Sequence, residues 1–206
     1  MAIEITWLGH ASVLIRADST VIYIDPWKVT GAFPKADLIL LTHDHYDHYS
    51  EDDIVMLSSQ STRVVAPMKT PLVSDTIAVG DNLSMSTCSV QAVASYNIEK
   101  EFHPKEKGWV GYVVAIGTKK IYHAGDTDRI PEMKDIRVDL VLLPVGGTYT
   151  MDADAAREAI KDIEPLHVIP IHFGDIVGSR HDAEALLDVE NSKIHILNPG
   201  EIFMLE

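Results

Sequence analysis

The stretch Leu41–His48, LTHDHYDH, carries three histidines and two aspartates and follows directly on the apolar run ADLILL. An uninterrupted apolar run this short is the pattern of a strand covered on both faces. Just beyond, Ser50 can cap a helix with Asp53 three residues on and acidic residues in its first turn, so YSEDDIVMLSSQ opens a helix. The ligand-rich residues therefore occupy a strand-to-helix connection. In extended backbone alternate residues share a face, so His43 and His45 can reach one point, while Asp47 and His48 can address a second as the chain turns. Imidazole nitrogens and carboxylate oxygens bind zinc at about 2.0 to 2.2 Å, and a catalytic site needs several of them plus an open position.

Two other apolar strands deliver ligand types at their ends: KKIYHAGDTD brings His123 and Asp126, and HVIPIHFGD brings His172. Elsewhere, IEITWLG, SVLIRA, a DS turn and TVIYIDP predict an antiparallel opening. Strands are expected at TRVVAP, DTIAV, LSMSTCSVQAVAS, GWVGYVVAIG, KKIYHAG and VDLVLLPVGG, and KIHILNPGEIFML is expected as a closing hairpin. Ala155, Ala156, Ala159, Ile160 and Ile163 mark one face of a helix that stops before Pro165, and HDAEALLDV predicts a shorter one. Strands followed by a helix, twice over, predict two sheets packed together with helices outside, in one domain spanning residues 1–206.

The chain has 17 basic against 31 acidic residues, a formal charge of −14, which opposes gripping a phosphate backbone and excludes long nucleic acids as partners. No apolar stretch approaches the roughly 18 residues of a membrane span. Glu4 stands where a secretory signal would be basic, and a single cysteine, Cys88, rules out an intramolecular disulfide, so a cytoplasmic location is expected. In PVGGTYTMDADAA a Gly-Gly turn precedes a helix N-terminus, where backbone N–H groups favour anions. Gly147 and Thr148 are thus candidates for docking an anionic group of a small-molecule substrate. Homo-oligomerisation is left open.

HDHYDH followed by AGDT and PIHFGD resembles the metallo-β-lactamase superfamily, over nearly the whole chain. WLGHASVLI, YIDPW, YHAGDTD and LLPVGGTYTMDADAA look like a short single-domain branch of metal-dependent hydrolases related to ascorbate 6-phosphate lactonase and N-acyl-phosphatidylethanolamine phospholipase D. The resemblance implies an α/β fold of four layers, αββα, and two divalent metal ions, Zn2+ first, with Mn2+, Fe2+ or Ni2+ as alternatives. It implies that His43 and His45 hold one metal, that Asp47, His48 and His172 hold the other, and that Asp126 bridges them. His10 and Asp25 would lie beside the cluster and orient its imidazoles, and His123 would do the same or donate a proton to the leaving group. One departure stands out: the strand before GWVGYVV ends at Tyr96, where the superfamily places a further histidine, and FHP offers His103 seven residues on. His103, Tyr96 or water would complete the first site. The implied reaction is hydrolysis of a small ester, lactone or phosphoester by hydroxide held between the metals. A nuclease or phosphodiesterase is the nearest rival. A di-iron oxidoreductase is disfavoured, since such relatives carry glutamate at the position of His45 and an added flavin domain.

Overall fold

In the computed structural model, which describes residues 2–206, the elements run β1 (Ile3–Gly9), β2 (Ser12–Ala17), β3 (Thr20–Ile24), β4 (Leu38–Leu40), α1 (Glu51–Leu57), β5 (Arg63–Ala66), β6 (Asp75–Thr76), β7 (Asn82–Ser84), β8 (Ser89–Ala94), β9 (Val110–Ile116), β10 (Lys119–His123), β11 (Leu140–Pro144), α2 (Ala153–Ile163), β12 (His167–Ile171), α3 (Arg180–Glu184), β13 (Lys193–Ile194) and β14 (Ile202–Leu205). They form two units, one up to Ile77 plus Leu197–Glu206, the other Ala78–Ile196. Among the described residues no helix is long and apolar enough to cross a membrane.

The first unit holds a sheet in the order β14-β1-β2-β3-β4-β5-β6, antiparallel from β14 to β3 and parallel from β3 to β6. Leu38, Ile39 and Leu40 of β4 are all buried, as a continuous apolar strand requires. Ser50 caps α1 by accepting from the Asp53 N–H, and Ile54 and Leu57 enter a core with Leu14, Tyr23, Ile39 and Leu41. Each such side chain contributes about 1.5 to 3 kcal/mol on burial.

The second unit holds a sheet in the order β13-β12-β11-β10-β9-β8-β7, antiparallel from β7 to β10 and parallel from β10 to β13. α2 buries Ala156, Ala159, Ile160 and Ile163, and Asp152 caps it by accepting from the Ala155 N–H, leaving Ala155 itself only half-buried.

Two segments differ from expectation. LSMSTCSVQAVAS is not one strand but two, because Met85 N–H donates to Cys88 O and closes a turn between β7 and β8. KIHILNPGEIFML is not a hairpin: β13 pairs in parallel with β12, whereas β14 pairs antiparallel with β1. The Asn198–Glu201 turn ties itself to β1 through Gly200 N–H and Trp7 O, which directs the last strand to that edge.

His167 and His195, at β12 and just beyond β13, share a hydrogen bond of 3.0 Å between Nδ1 and Nε2. Burial holds both below the ordinary value of 6.5; Lys193 and Lys119 add to this at His167, with Asp139 opposing, and His167 and Lys193 add to it at His195. The unfolded chain therefore takes up protons at a pH where the folded chain still refuses them, so stability falls as the pH drops below 6.5. His195→Gln should flatten the fall in melting temperature between about pH 7 and pH 5. An unchanged slope would assign the decline to other groups.

Candidate metal centre

In the first unit the chain leaves the sheet after Leu41, whose N–H donates to Val65 O. Asp25, one residue past β3 with φ +48°, faces this exit. Its carboxylate accepts from Thr42 N–H at 2.7 Å, Thr42 Oγ1 at 2.6 Å and His48 Nδ1 at 2.8 Å, all at buried positions. Asp25 thus pins both ends of the ligand-rich loop. The hydroxyl of Thr42 has one proton, and Asp25 takes it, so Thr42 Oγ1 accepts from His43 Nδ1 at 2.8 Å. This network assigns the Nδ1–H tautomer to His43 and His48 alike and turns each Nε2 lone pair inward, the form a metal requires.

His43 Nε2 lies 3.0 Å from His45 Nδ1, close to the ~3.3 Å edge that two nitrogens span around a tetrahedral zinc. A turn in which His48 and Tyr49 N–H donate to His45 O then brings in Asp47 and His48. Asp47 Oδ2 is 3.9 Å from His48 Nε2 and accepts from His10 Nε2 at 2.9 Å. His10 follows a bulge in the β1–β2 pairing, has φ +50°, accepts at its carbonyl from Trp7 Nε1 and packs its ring on Trp27. One ligand atom each from His10, Asp47 and His48, and likewise from Asp25, His43 and His48, lie within 4.8 Å of one another.

The second unit gathers its own set. Asp126 follows the Gly125 turn at the end of β10, and His172, with φ +59°, follows β12; His172 Nε2 lies 3.2 Å from Asp126 Oδ2. His103 is fully buried, with its ring 4.4 Å from that of Trp109 and a ligand atom within 4.8 Å of one from Asp126. Asn97 clamps it: Asn97 Oδ1 accepts from His103 N–H, Asn97 N–H donates to His103 O, and Asn97 Nδ2 reaches Tyr149 O. Tyr96 is committed elsewhere, donating its phenol proton to Glu132 at 3.0 Å and accepting from Lys105 at 3.1 Å. Of the sequence alternatives, His103 rather than Tyr96 is the one beside Asp126. His123 is buried, and its Nδ1 accepts from Gly125 N–H, which steadies the turn carrying Asp126 and leaves the proton on Nε2.

The Gly147 N–H donates to Met151 O and the Thr148 N–H to Gly146 O, so both amides hold their own turn. Gly146, unremarked in the sequence, is the residue that matters there: a Cβ on it would sit 2.4 Å from His172 O and 3.4 Å from His172 Nδ1. Thr42, Asn97 and Trp109 also escaped the sequence reading, because each acts through a partner whose proximity only the fold creates.

Residues 4–172 match the β-lactamase superfamily domain. A UPF0173 metal-dependent hydrolase of Thermus thermophilus is 30% identical over 231 residues, covering 99% of this chain and 100% of that protein. A solved structure of a proposed metal-dependent hydrolase from Parabacteroides distasonis superposes with a TM-score of 0.84 at 31% identity, covering 94% of this chain and 92% of the other. Igni18, described as a novel metallo hydrolase from Ignicoccus hospitalis, superposes with a TM-score of 0.80 at 22% identity, covering 100% of this chain and 99% of its own, and so speaks to the fold alone. The αββα fold class expected from the sequence is borne out.

Proposed function

The chain belongs to the metallo-β-lactamase superfamily, and from that premise we propose that it works as one domain, a metal-dependent hydrolase of a small ester, lactone or phosphoester. The observation that carries the reading is the shared tautomer of His43 and His48, both set by Asp25 and Thr42 so that Nε2 is left as a ligand. The donors suit a borderline-soft divalent ion, zinc first, with manganese, iron or nickel accepted by the same imidazole and carboxylate chemistry. His43, His45 and His103 would hold one ion and Asp47, His48 and His172 the other, with Asp126 shared. Such ions supply Lewis acidity and lower the pKa of water toward about 7.

The protein's own groups then do the positioning. Asp25 and Thr42 keep two imidazoles aimed, and His10 fixes Asp47 through a 2.9 Å hydrogen bond. His123, carrying its proton on Nε2, steadies the Asp126 turn and can pass a proton to a leaving group. The acidic balance, −14 overall, favours a small substrate over a nucleic acid, and the lone cysteine suits the cytoplasm.

Purified, reconstituted protein should carry two divalent ions per chain by elemental analysis, and a panel of lactones, carboxylic esters and phosphodiesters should yield one hydrolysed class. A chain that takes up no stoichiometric metal would end the proposal. So would full loading with no turnover on any of the three classes.

A further inference from the structure

In the second unit the sheet face carrying Val90, Ala92, Tyr112, Val114 and Ile121 is wholly buried. On the opposite face a cavity of about 510 Å³ opens over β8 and β9. That volume falls in the range of small-molecule sites, roughly 300 to 1,000 Å³. Val93 and Val113 form its floor, and Trp109, Ile136 and Val138 its apolar walls. Trp109 also packs on His103, whereas Val93, Val113, Ile136 and Val138 have no part in the hydrolytic reading.

The charges around the cavity say what would enter. Lys105, Lys120 and Arg137 line it against two carboxylates, Glu132 and Asp135, making this region locally cationic in a chain of net charge −14. Lys105 is neutralised by Glu132 at 3.0 Å. Arg137 donates only to the carbonyl oxygens of Lys134, Ile136 and Asp162, and Lys120 Nζ makes no ion pair among the described residues, so two positive charges face the cavity without a carboxylate bound to them. Tyr122, the cross-strand partner of Val113, points to the same sheet face without itself lining the cavity. Its side chain is completely buried and its hydroxyl has no hydrogen-bond partner among the described residues, a state that ordinarily costs about 1 to 3 kcal/mol.

We infer that this cavity is a ligand site, separate from the metal centre, for a small flat apolar molecule bearing one anionic group, such as an aromatic carboxylate or sulfonate. Trp109, Ile136 and Val138 give an aromatic body apolar walls, the valine floor excludes water beneath it, and Lys120 and Arg137 receive the anion.

The test uses the metal-loaded full chain and 1-anilinonaphthalene-8-sulfonate as probe, followed by its own fluorescence and by energy transfer from tryptophan. One probe should bind per chain, with transfer that drops in Trp109→Phe. Val113→Phe, which fills the floor, should weaken binding at least tenfold; Val93→Phe is the second variant if the first fails to fold. Lys120→Glu should weaken the sulfonate about fivefold while leaving the uncharged N-phenyl-1-naphthylamine unchanged. Melting temperature and metal content on each variant separate a lost cavity from a lost fold or a lost metal site. Absence of binding, or binding indifferent to the floor variants in folded protein, overturns the assignment, and equal loss of charged and uncharged probes in Lys120→Glu overturns its anionic part.

Discussion

Asp126→Asn should lower turnover at least about a hundredfold, the scale on which enzymes lose rate when a charged group at the reacting centre is displaced. A carboxylate can offer an oxygen to each of two cations and offset their charge, whereas the isosteric amide offers one oxygen and no charge. Asp126 Oδ2 already lies 3.2 Å from His172 Nε2, and the residue is buried, so water cannot substitute for the missing charge. The fold should persist, because β10 packs through Ile121 and Tyr122. The measurements are kcat, metal stoichiometry after desalting and melting temperature. Near-normal turnover at full metal occupancy would remove Asp126 from the centre and with it the two-metal reading.

The second large effect is expected at Asp25, which touches no substrate. An amide there must set its NH2 either against the Thr42 N–H or against both Thr42 Oγ1 and His48 Nδ1, and in both cases a donor meets a donor where the native carboxylate accepted three hydrogen bonds. If the NH2 faces His48, the ring moves its proton to Nε2 and can no longer ligate. Loss of an outer partner of this kind typically costs 10- to 100-fold in metal affinity, and a stranded buried donor costs about 1 to 3 kcal/mol of stability. Asp25→Asn should therefore show both, read by competition with a chelator and by thermal melting of the metal-free protein. A normal chelator titration would assign the tautomers to some other group.

These two residues mark the boundary of what could be read in advance. Asp126 belongs to a strand-end pattern visible in the letters, as do His43 and His45, whose spacing of two puts them on one side of extended backbone. The Ser50 cap and α2 were legible for the same reason, since both rest on interactions three or four residues apart. The hydrogen bonds of Asp25 depend on β3 lying beside β4 in the register Ile24↔Leu40, which sets residue 25 level with residue 41 and its carboxylate within reach of Thr42. That register is a property of the folded sheet. His103 was harder still: its place beside Asp126 depends on Asn97, which bonds to it at both N–H and C=O, and on the ring of Trp109. The last strand was misplaced because apolar alternation says that a strand forms but not which edge it joins.

His10, Asp25 and His172 hold left-handed backbone with φ of +50°, +48° and +59°, a conformation that costs a residue with a side chain roughly 1 to 3 kcal/mol and glycine almost nothing. Stability and chemistry therefore pull in opposite directions at His10 and His172, while at Asp25 the hydrogen bonds of the carboxylate offset the backbone cost. A library screened only for survival on heating would enrich glycine at residues 10 and 172 and accumulate robust, inert proteins, whereas at residue 25 the three hydrogen bonds accepted by the carboxylate oppose the change. Anyone seeking a heat-tolerant version with its activity intact should hold residues 10, 25 and 172 invariant and look for gains in the helices and sheet edges instead.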